Sequence, residues 1–242
     1  MYKRDTLETL PENWDKALAV VAHPDDLEYG AVSAIARWTS QGKQVVYLLI
    51  TRGEAGIDSM APEEVGPLRE AEERNSAKEA GVQTVEFLDY HDGVIEYGLP
   101  LRRDITRAIR RHHPDLLITI NHQLTFDENR LNMADHRWVG LAVLDAARDA
   151  GNRWIFRELL EEGLEPWGNV KMVCITGSSD ATHAVDVTSF IDRGINSLKK
   201  HKAYIKNLPG SFDPEEFLRR RASAVGKLLG CKYAVAFEVI LI

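Results

Sequence analysis

Six consecutive residues, His23-Pro24-Asp25-Asp26-Leu27-Glu28, carry one imidazole and three carboxylates. His23 and Asp26 are three positions apart in a tight turn built around Pro24, near enough to grip a single metal ion, while Asp25 between them can face another way. A second cluster, Ala134-Asp135-His136-Arg137, arrives more than a hundred residues later. A catalytic zinc site typically takes three protein ligands and keeps one position open, and His136 supplies the third here. Taken alone, His136 fits a helix-start hydrogen bond equally well, and Asp25 fits a turn-stabilising role beside Pro24. Together the clusters favour a divalent metal site with a spare carboxylate at its side.

Both clusters need strands to place them. Residues 18–22 form an apolar run that ends at His23, and residues 116–120 form another upstream of His136. Further apolar runs at 45–50 and 84–88 alternate with helical periods over about 27–40, from Pro67 to Gly81, from Pro100 onward and over about 135–150. Continuous apolar strands alternating with helices describe a parallel sheet covered on both faces. The loops that follow such strands share one edge, where open α/β sheets bind ligands. Two of them, 52–66 and 89–99, are longer than a connection requires. The tail is less regular. It reads as strands at 170–176 and 183–187, then a helix capped by Thr188 or Ser189 and running to about Lys206. A second helix opens at Asp213-Pro214 and ends near Gly230, before a last apolar strand at 233–242. The expected fold class is α/β: a Rossmann-like, mostly parallel sheet with helices on both faces and an irregular C-terminal α/β extension. Residues 1–242 are expected to form a single domain, with core motifs at about 16–150 and the extension at about 151–242.

Thirty Lys and Arg stand against 37 Asp and Glu, a formal net charge of −7 over 242 residues. Such a chain offers no basic surface to nucleic acid or to an anionic membrane. No apolar run approaches the length of a membrane span. The start Met1-Tyr2-Lys3-Arg4-Asp5 lacks an apolar signal core. Cys174 and Cys231 are too few for a disulfide framework and lack zinc-site spacing, so they read as reduced thiols of a cytoplasmic protein. No Gly-x-Gly-x-x-Gly follows the first strand, which argues against a dinucleotide site.

The motifs taken in order resemble the LmbE/PIG-L family of zinc-dependent N-acetylglucosaminyl deacetylases. The resemblance rests on Ala22-His23-Pro24-Asp25-Asp26-x-Glu28, on Thr51-Arg52-Gly53-Glu54-Ala55-Gly56, on the Arg69-x-x-Glu72 helix and on Asn132-Met133-Ala134-Asp135-His136-Arg137. It spans roughly residues 18–140, with a weaker echo at Leu198-Lys199-Lys200-His201. It implies His23, Asp26 and His136 as zinc ligands and Asp25 as general base. The implied enzyme is a zinc-dependent N-deacetylase, a carbon–nitrogen amide hydrolase. It would remove an acetyl or other acyl group from an N-acetylated amino sugar or its conjugate, using metal-activated water. The physical chemistry is consistent: zinc lowers the pKa of its water to about 7, and a carboxylate that is not a ligand is free to take the proton. Two His and one Asp also suit iron, cobalt or manganese. A homo-oligomer is compatible with the sequence.

Arg52 and His122 are the expected substrate contacts, although Arg52 suits a loop salt bridge with Glu54 or Glu72 nearly as well, and His122 suits a core or surface role. Asp135 is expected to orient the neighbouring ligand His136, or else to cap the helix. Glu28 suits a helix N-terminus or support of the site. One position departs from the family: where many members carry a His that donates to the developing oxyanion, this chain has Met133, which cannot donate. His122, Asn121, Asn132, Arg52 and His201 are the candidates to replace it. The alternative reading is a non-catalytic Rossmann-like protein that binds a sugar or metal.

Overall fold

The computed structural model describes residues 3–126, 129–208 and 210–242. The first two residues of the N-terminal start, and Asp127 and Glu128 of the 121–133 loop, lie outside the described residues. The strands are β1 (Glu8–Thr9), β2 (Lys16–Val21), β3 (Gln44–Leu49), β4 (Thr84–Phe87), β5 (Leu116–Ile120), β6 (Met172–Thr176), β7 (His183–Asp186) and β8 (Ala234–Leu241). They form one eight-stranded sheet in the order β1-β7-β8-β6-β5-β2-β3-β4. From β6 to β4 every pairing is parallel, and β8 runs antiparallel to both β6 and β7.

Alternation along the central strand shows why it is apolar throughout. Ala17, Ala19 and Val21 enter one core, with Trp38 and Tyr47, while Leu18, Val20 and Ala22 enter the other, with Ile105, Val139 and Val143. A strand covered on both faces has no polar side to show. The helices that cover it are α1 (Asp26–Gly30), α2 (Val32–Ser40), α3 (Pro62–Glu79), α4 (Leu99–His112), α5 (Ala134–Asp149), α6 (Glu158–Glu161), α7 (Ile191–Leu198), α8 (Lys202–Asn207) and α9 (Pro214–Leu229). From β2 the chain steps outward to β3 and β4, then returns to β5 on the other side. That reversal creates a crevice beyond the carboxyl ends of β2 and β5. The two sequence clusters open into it, one from each strand.

Several expected boundaries shift. The helix expected over 27–40 is two, broken at Ala31, whose φ of −121° leaves the helical region just after Gly30 packs against β6, where a Cβ would sit 2.3 Å from Thr176 Oγ1. The helix expected to open at Pro67 opens at Pro62 and carries Pro67 inside. Proline at the first turn needs no N–H, and the carbonyl that Pro67 leaves unpaired belongs to the exposed first turn. The helix expected from 188 or 189 to about 206 is α7 and α8, separated at Lys199–His201, where the His201 side chain turns wholly inward. β1 and α6 carried too little pattern to be anticipated. The last helix behaves as read: Asp213 accepts from the main-chain N–H groups of Glu215 and Glu216, and Gly230 closes it with φ 83°.

Gly140 sets the height of α5 over the sheet, since an added Cβ would lie 2.5 Å from the Ile120 carbonyl oxygen. Gly140→Ala should push α5, and His136 one turn earlier, away from β5. The expected cost is about 1–3 kcal/mol, read as a lower urea midpoint, together with weaker retention of a divalent ion. An unchanged midpoint would mean that this close approach is dispensable.

Candidate functional site

β2 ends at Val21, and the chain folds at once into a turn whose atoms are reused as supports. Asp26 Oδ2 accepts from the His23 main-chain N–H at 2.8 Å, which closes the turn and sets both side chains. α5 enters from the other side of the crevice with His136 in its first turn. Three side chains then converge: His23 Nδ1 lies 3.2 Å from His136 Nε2, and the two Asp26 carboxylate oxygens take one imidazole each, Oδ1 at 3.1 Å from His136 Nε2 and Oδ2 at 3.6 Å from His23 Nδ1. Ligands about 2.1 Å from a tetrahedral zinc stand about 3.4 Å from one another, so the spacing is that of one face of a coordination shell. All three residues are buried.

The outer ring nitrogens are accounted for. His23 Nε2 meets Asp92 Oδ1 at 2.9 Å and Asp135 Oδ2 at 3.2 Å, and His136 Nδ1 meets Asn132 Oδ1 at 3.1 Å. Acceptors at those positions call for a proton there, which leaves His23 Nδ1 and His136 Nε2 as lone pairs facing Asp26. Asp135 and Asp92 are themselves anchored. Asp135 accepts from the N–H groups of Gly93 and Ile95, and Asp92 accepts from the Ala55 N–H. Asn132 donates to the carbonyls of Asn121 and Gln123. Donor set, spacing and tautomers therefore fit a divalent ion held by His23, Asp26 and His136.

The electrostatics agree. Burial works against a charged His23, yet Asp135, Asp26 and Asp92 outweigh it and hold the imidazole well above its ordinary pKa. Burial likewise opposes a charged Asp26, but His136 and His23 keep it far below the usual carboxylate range. The crevice thus calls for positive charge, which a proton or a metal ion can supply.

Asp25 is set apart from this shell. Its backbone has φ 97° and ψ −20°, a left-handed conformation unusual for a side chain with a Cβ. Oδ1 pairs with Arg69 Nη2 at 3.1 Å, and the buried Oδ2 has no partner. Burial pushes Asp25 up to about 6, against the pull of Arg69 and with a further push from Asp26. Arg69 also donates to the carbonyls of Gly53 and Pro24 and lies 4.2 Å over the Tyr204 ring. Beside the shell opens a cavity of about 410 Å³, lined by Asp26 and His136 together with Tyr29, Phe126, Phe217 and Arg221.

The other expected residues fall elsewhere. Arg52 is tied to Glu70 at 3.1 Å and Asp89 at 2.8 Å, and lines a separate depression. Those partners are not the Glu54 or Glu72 that the sequence suggested. His122 lies outside the cavity lining, with Nδ1 buried and unpartnered. Asp135 faces His23, while the neighbour it was expected to orient, His136, is met by Asn132. Met133 is 51% exposed at the start of α5. Asp92, Arg69 and Glu73 were not anticipated as parts of the site. Asp92 is in a long loop with no periodic pattern, but the four-residue spacing of Arg69 and Glu73 on one helix face was a readable signal.

Residues 18–147, more than half of the chain, match the GlcNAc-PI de-N-acetylase family, PIG-L. The chain belongs to this family. Among relatives, the diacetylchitobiose deacetylase of Thermococcus kodakarensis is 28% identical over 228 residues, covering 93% of this chain and 83% of that protein. The N,N'-diacetylchitobiose deacetylase of Pyrococcus horikoshii, solved with an inhibitor, superposes with a TM-score of 0.85 at 24% identity, covering 95% of this chain and 85% of that one. A 4-carboxy-2-hydroxymuconate hydratase from Pseudomonas putida follows the same fold with a TM-score of 0.72 at 19% identity, covering 93% and 96%. The PIG-L fold thus hosts more than one reaction, and residues rather than fold must argue the activity.

For this PIG-L chain, His136→Ala should remove one apex of the triangle and strip a divalent ion from the purified protein. Elemental analysis checks it: full occupancy in the variant would take His136 out of the site.

Proposed function

We propose that the chain is a divalent-metal N-deacetylase that releases acetate from an N-acetylated amino sugar or a conjugate of one. The observation that carries this reading is the pairing of a three-atom metal triangle with Asp25 Oδ2, a buried carboxylate oxygen that has no partner. Diacetylchitobiose deacetylase as a relative over 93% of the chain supports the substrate class. His23, Asp26 and His136 would hold the ion, with zinc the first choice for such a set. When bound, zinc supplies a Lewis acid and brings the ionisation of water near neutrality.

The remaining work falls to the protein. Arg69 grips Asp25 by Oδ1, which leaves Oδ2 to accept the proton of the attacking water and return it to the departing amine. Tyr29, Phe126 and Phe217 offer the apolar walls on which the hydrophobic face of a sugar packs. Met133 brings no donor to the oxyanion, and four of the five candidates to replace it have other commitments. Asn132 donates to main-chain carbonyls and Asn121 to the Thr125 carbonyl, Arg52 is in ion pairs, and His201 is buried against Glu28 and Glu73. His122 Nδ1 has no partner; both His201 ring nitrogens also lack a hydrogen bond, but that ring is wholly buried. A non-catalytic binding protein would have no use for the free oxygen of Asp25. We further propose that residues 1–242 work as one domain in the cytoplasm. No helix among the described residues is long and apolar enough to cross a membrane.

Acetate release from a panel of N-acetylated amino sugars, with and without added zinc, tests the reading, and no release from any of them would sink it. Asp25→Asn should keep its metal and lose about 10²–10⁴-fold in kcat. Asp25 must be ionised to act, so kcat/KM should fall as pH drops through an acid limb, with a midpoint no higher than about 6. A bound cation would draw that midpoint lower still, and an acid limb with a midpoint clearly above about 6 would remove Asp25 as the group responsible. Met133→His should raise kcat if oxyanion support is weak here, because one well-aimed donor is worth about 10²–10³-fold. If the change has no effect, Met133 serves only to shape the pocket.

A further inference from the structure

Beneath the metal triangle lies a second polar cluster that the reaction does not use. Glu28, Glu73 and His201 are buried side chains whose ligand-type atoms lie within 4.8 Å of one another. His201 Nε2 stands 3.7 Å from Glu28 Oε2 and 3.7 Å from Glu73 Oε2. Ser76 Oγ donates to Glu28 Oε1 at 2.6 Å, and Ser197 Oγ donates to the Ser76 carbonyl at 3.0 Å. The cluster therefore joins α1, α3, α7 and the corner before α8. Burying so many polar groups is expensive unless they are paired with one another or hydrogen-bonded.

One hydrogen bond connects it to the reaction. The Asp25 main-chain N–H donates to Glu73 Oε2 at 3.2 Å. Asp25 is the residue with φ 97°, a backbone state that persists only when its surroundings over-determine it. One turn earlier on the same face of α3, Arg69 holds the Pro24 carbonyl and the Asp25 carboxylate. The two residues of α3 thus grip the turn at three points, and Glu73 is the one that holds the strained unit itself.

We propose that Glu73, braced by His201, is a positioning residue: it holds the Asp25 main chain in its left-handed conformation and so aims the carboxylate into the site. The catalytic part of this inference rests on the deacetylase reading above, whereas the conformational part does not. Burial and Glu28 push Glu73 well above the usual carboxylate range, against the pull of His201. Glutamine keeps an acceptor oxygen at this position in a side chain of nearly the same shape. The brace comes from outside the family match, since His201 lies beyond residue 147. The C-terminal segment thereby takes part in shaping the site.

The test compares Glu73→Gln with Glu73→Met in the metal-loaded protein. They are similar in volume, and only the first keeps an acceptor. Glu73→Met should lower kcat on the order of 10²-fold, the scale of a displacement of about 1 Å in a reacting group. KM and metal content should stay at their parent values, and Glu73→Gln should recover most of the rate. A crystal structure of Glu73→Met should show Asp25 relaxed to negative φ. Parent kcat in Glu73→Met, equal losses in both variants, or Asp25 still at positive φ would overturn the proposal. Should Glu73→Met fail to fold, Glu73→Asp withdraws the acceptor by one methylene and should show the same fall in kcat, with a parent rate overturning the proposal. If the parent protein releases no acetate from any sugar, the deacetylase reading fails, and the φ of Asp25 in the variant still decides whether Glu73 holds the turn.

Discussion

Everything at the carboxyl ends of β2 and β5 answers to one constraint: many charges brought together in a largely buried crevice. Two imidazoles and the carboxylates of Asp25, Asp26, Asp92 and Asp135 meet there, with the side chains of His23, Asp26, Asp92 and Asp135 all less than a tenth exposed. Buried charges are tolerated only when each is matched by an opposite charge or by hydrogen bonds. The matching is what builds the site. Asp135 and Asp92 take up main-chain N–H groups from the loops after β4 and β3 and turn their other faces to His23. Loops with no regular structure of their own are thereby fixed to the metal triangle.

The same logic extends outward through α3. Arg69 and Glu73 face the His23–Asp26 turn. Glu72 beside them accepts from the main-chain N–H of Ala203 at 2.6 Å, which anchors the start of α8. A single helix thus ties the turn that carries Asp25 to the C-terminal segment. The tail also contributes β8, which pairs with β6 and β7, so the late part of the chain is woven into the sheet. Strain at Asp25 is sustained because the groups around it are themselves held, a pattern expected where a side chain must point against its backbone preference.

Fold and site differ in how far they could be read in advance. β5 was legible to the residue, because Leu116–Ile120 is apolar but for Thr119, whose hydroxyl is satisfied by the Val20 carbonyl, and a strand buried on both faces has no other option. α9 was legible because Asp213, Pro214 and Gly230 are local signals that need no partner. The meeting of His23, Asp26 and His136 was legible as residue types, since His-x-x-Asp at a strand end, weak alone, was joined by a His at a later helix start on the same edge of the sheet. Arg52 shows the limit: its position after β3 suggested a reach into the site, whereas Glu70 and Asp89 claim its guanidinium. Asp92 shows the same limit from the other side. Nothing local marks it, and only the loop's course brings it to His23.

The alternation of core strands and helices, the two-sided sheet and the identity of the charged turn follow from the sequence alone, because periodicity and turn chemistry act over a few residues. Tertiary structure decided which atoms face one another. The break at Ala31, the inward turn of His201, the left-handed Asp25 and the choice of Asp135 for His23 rather than His136 each depend on residues tens to more than a hundred positions away. Contacts of that range arise only once the sheet has brought β2 beside β5 and α3 against α7, and no local pattern encodes them.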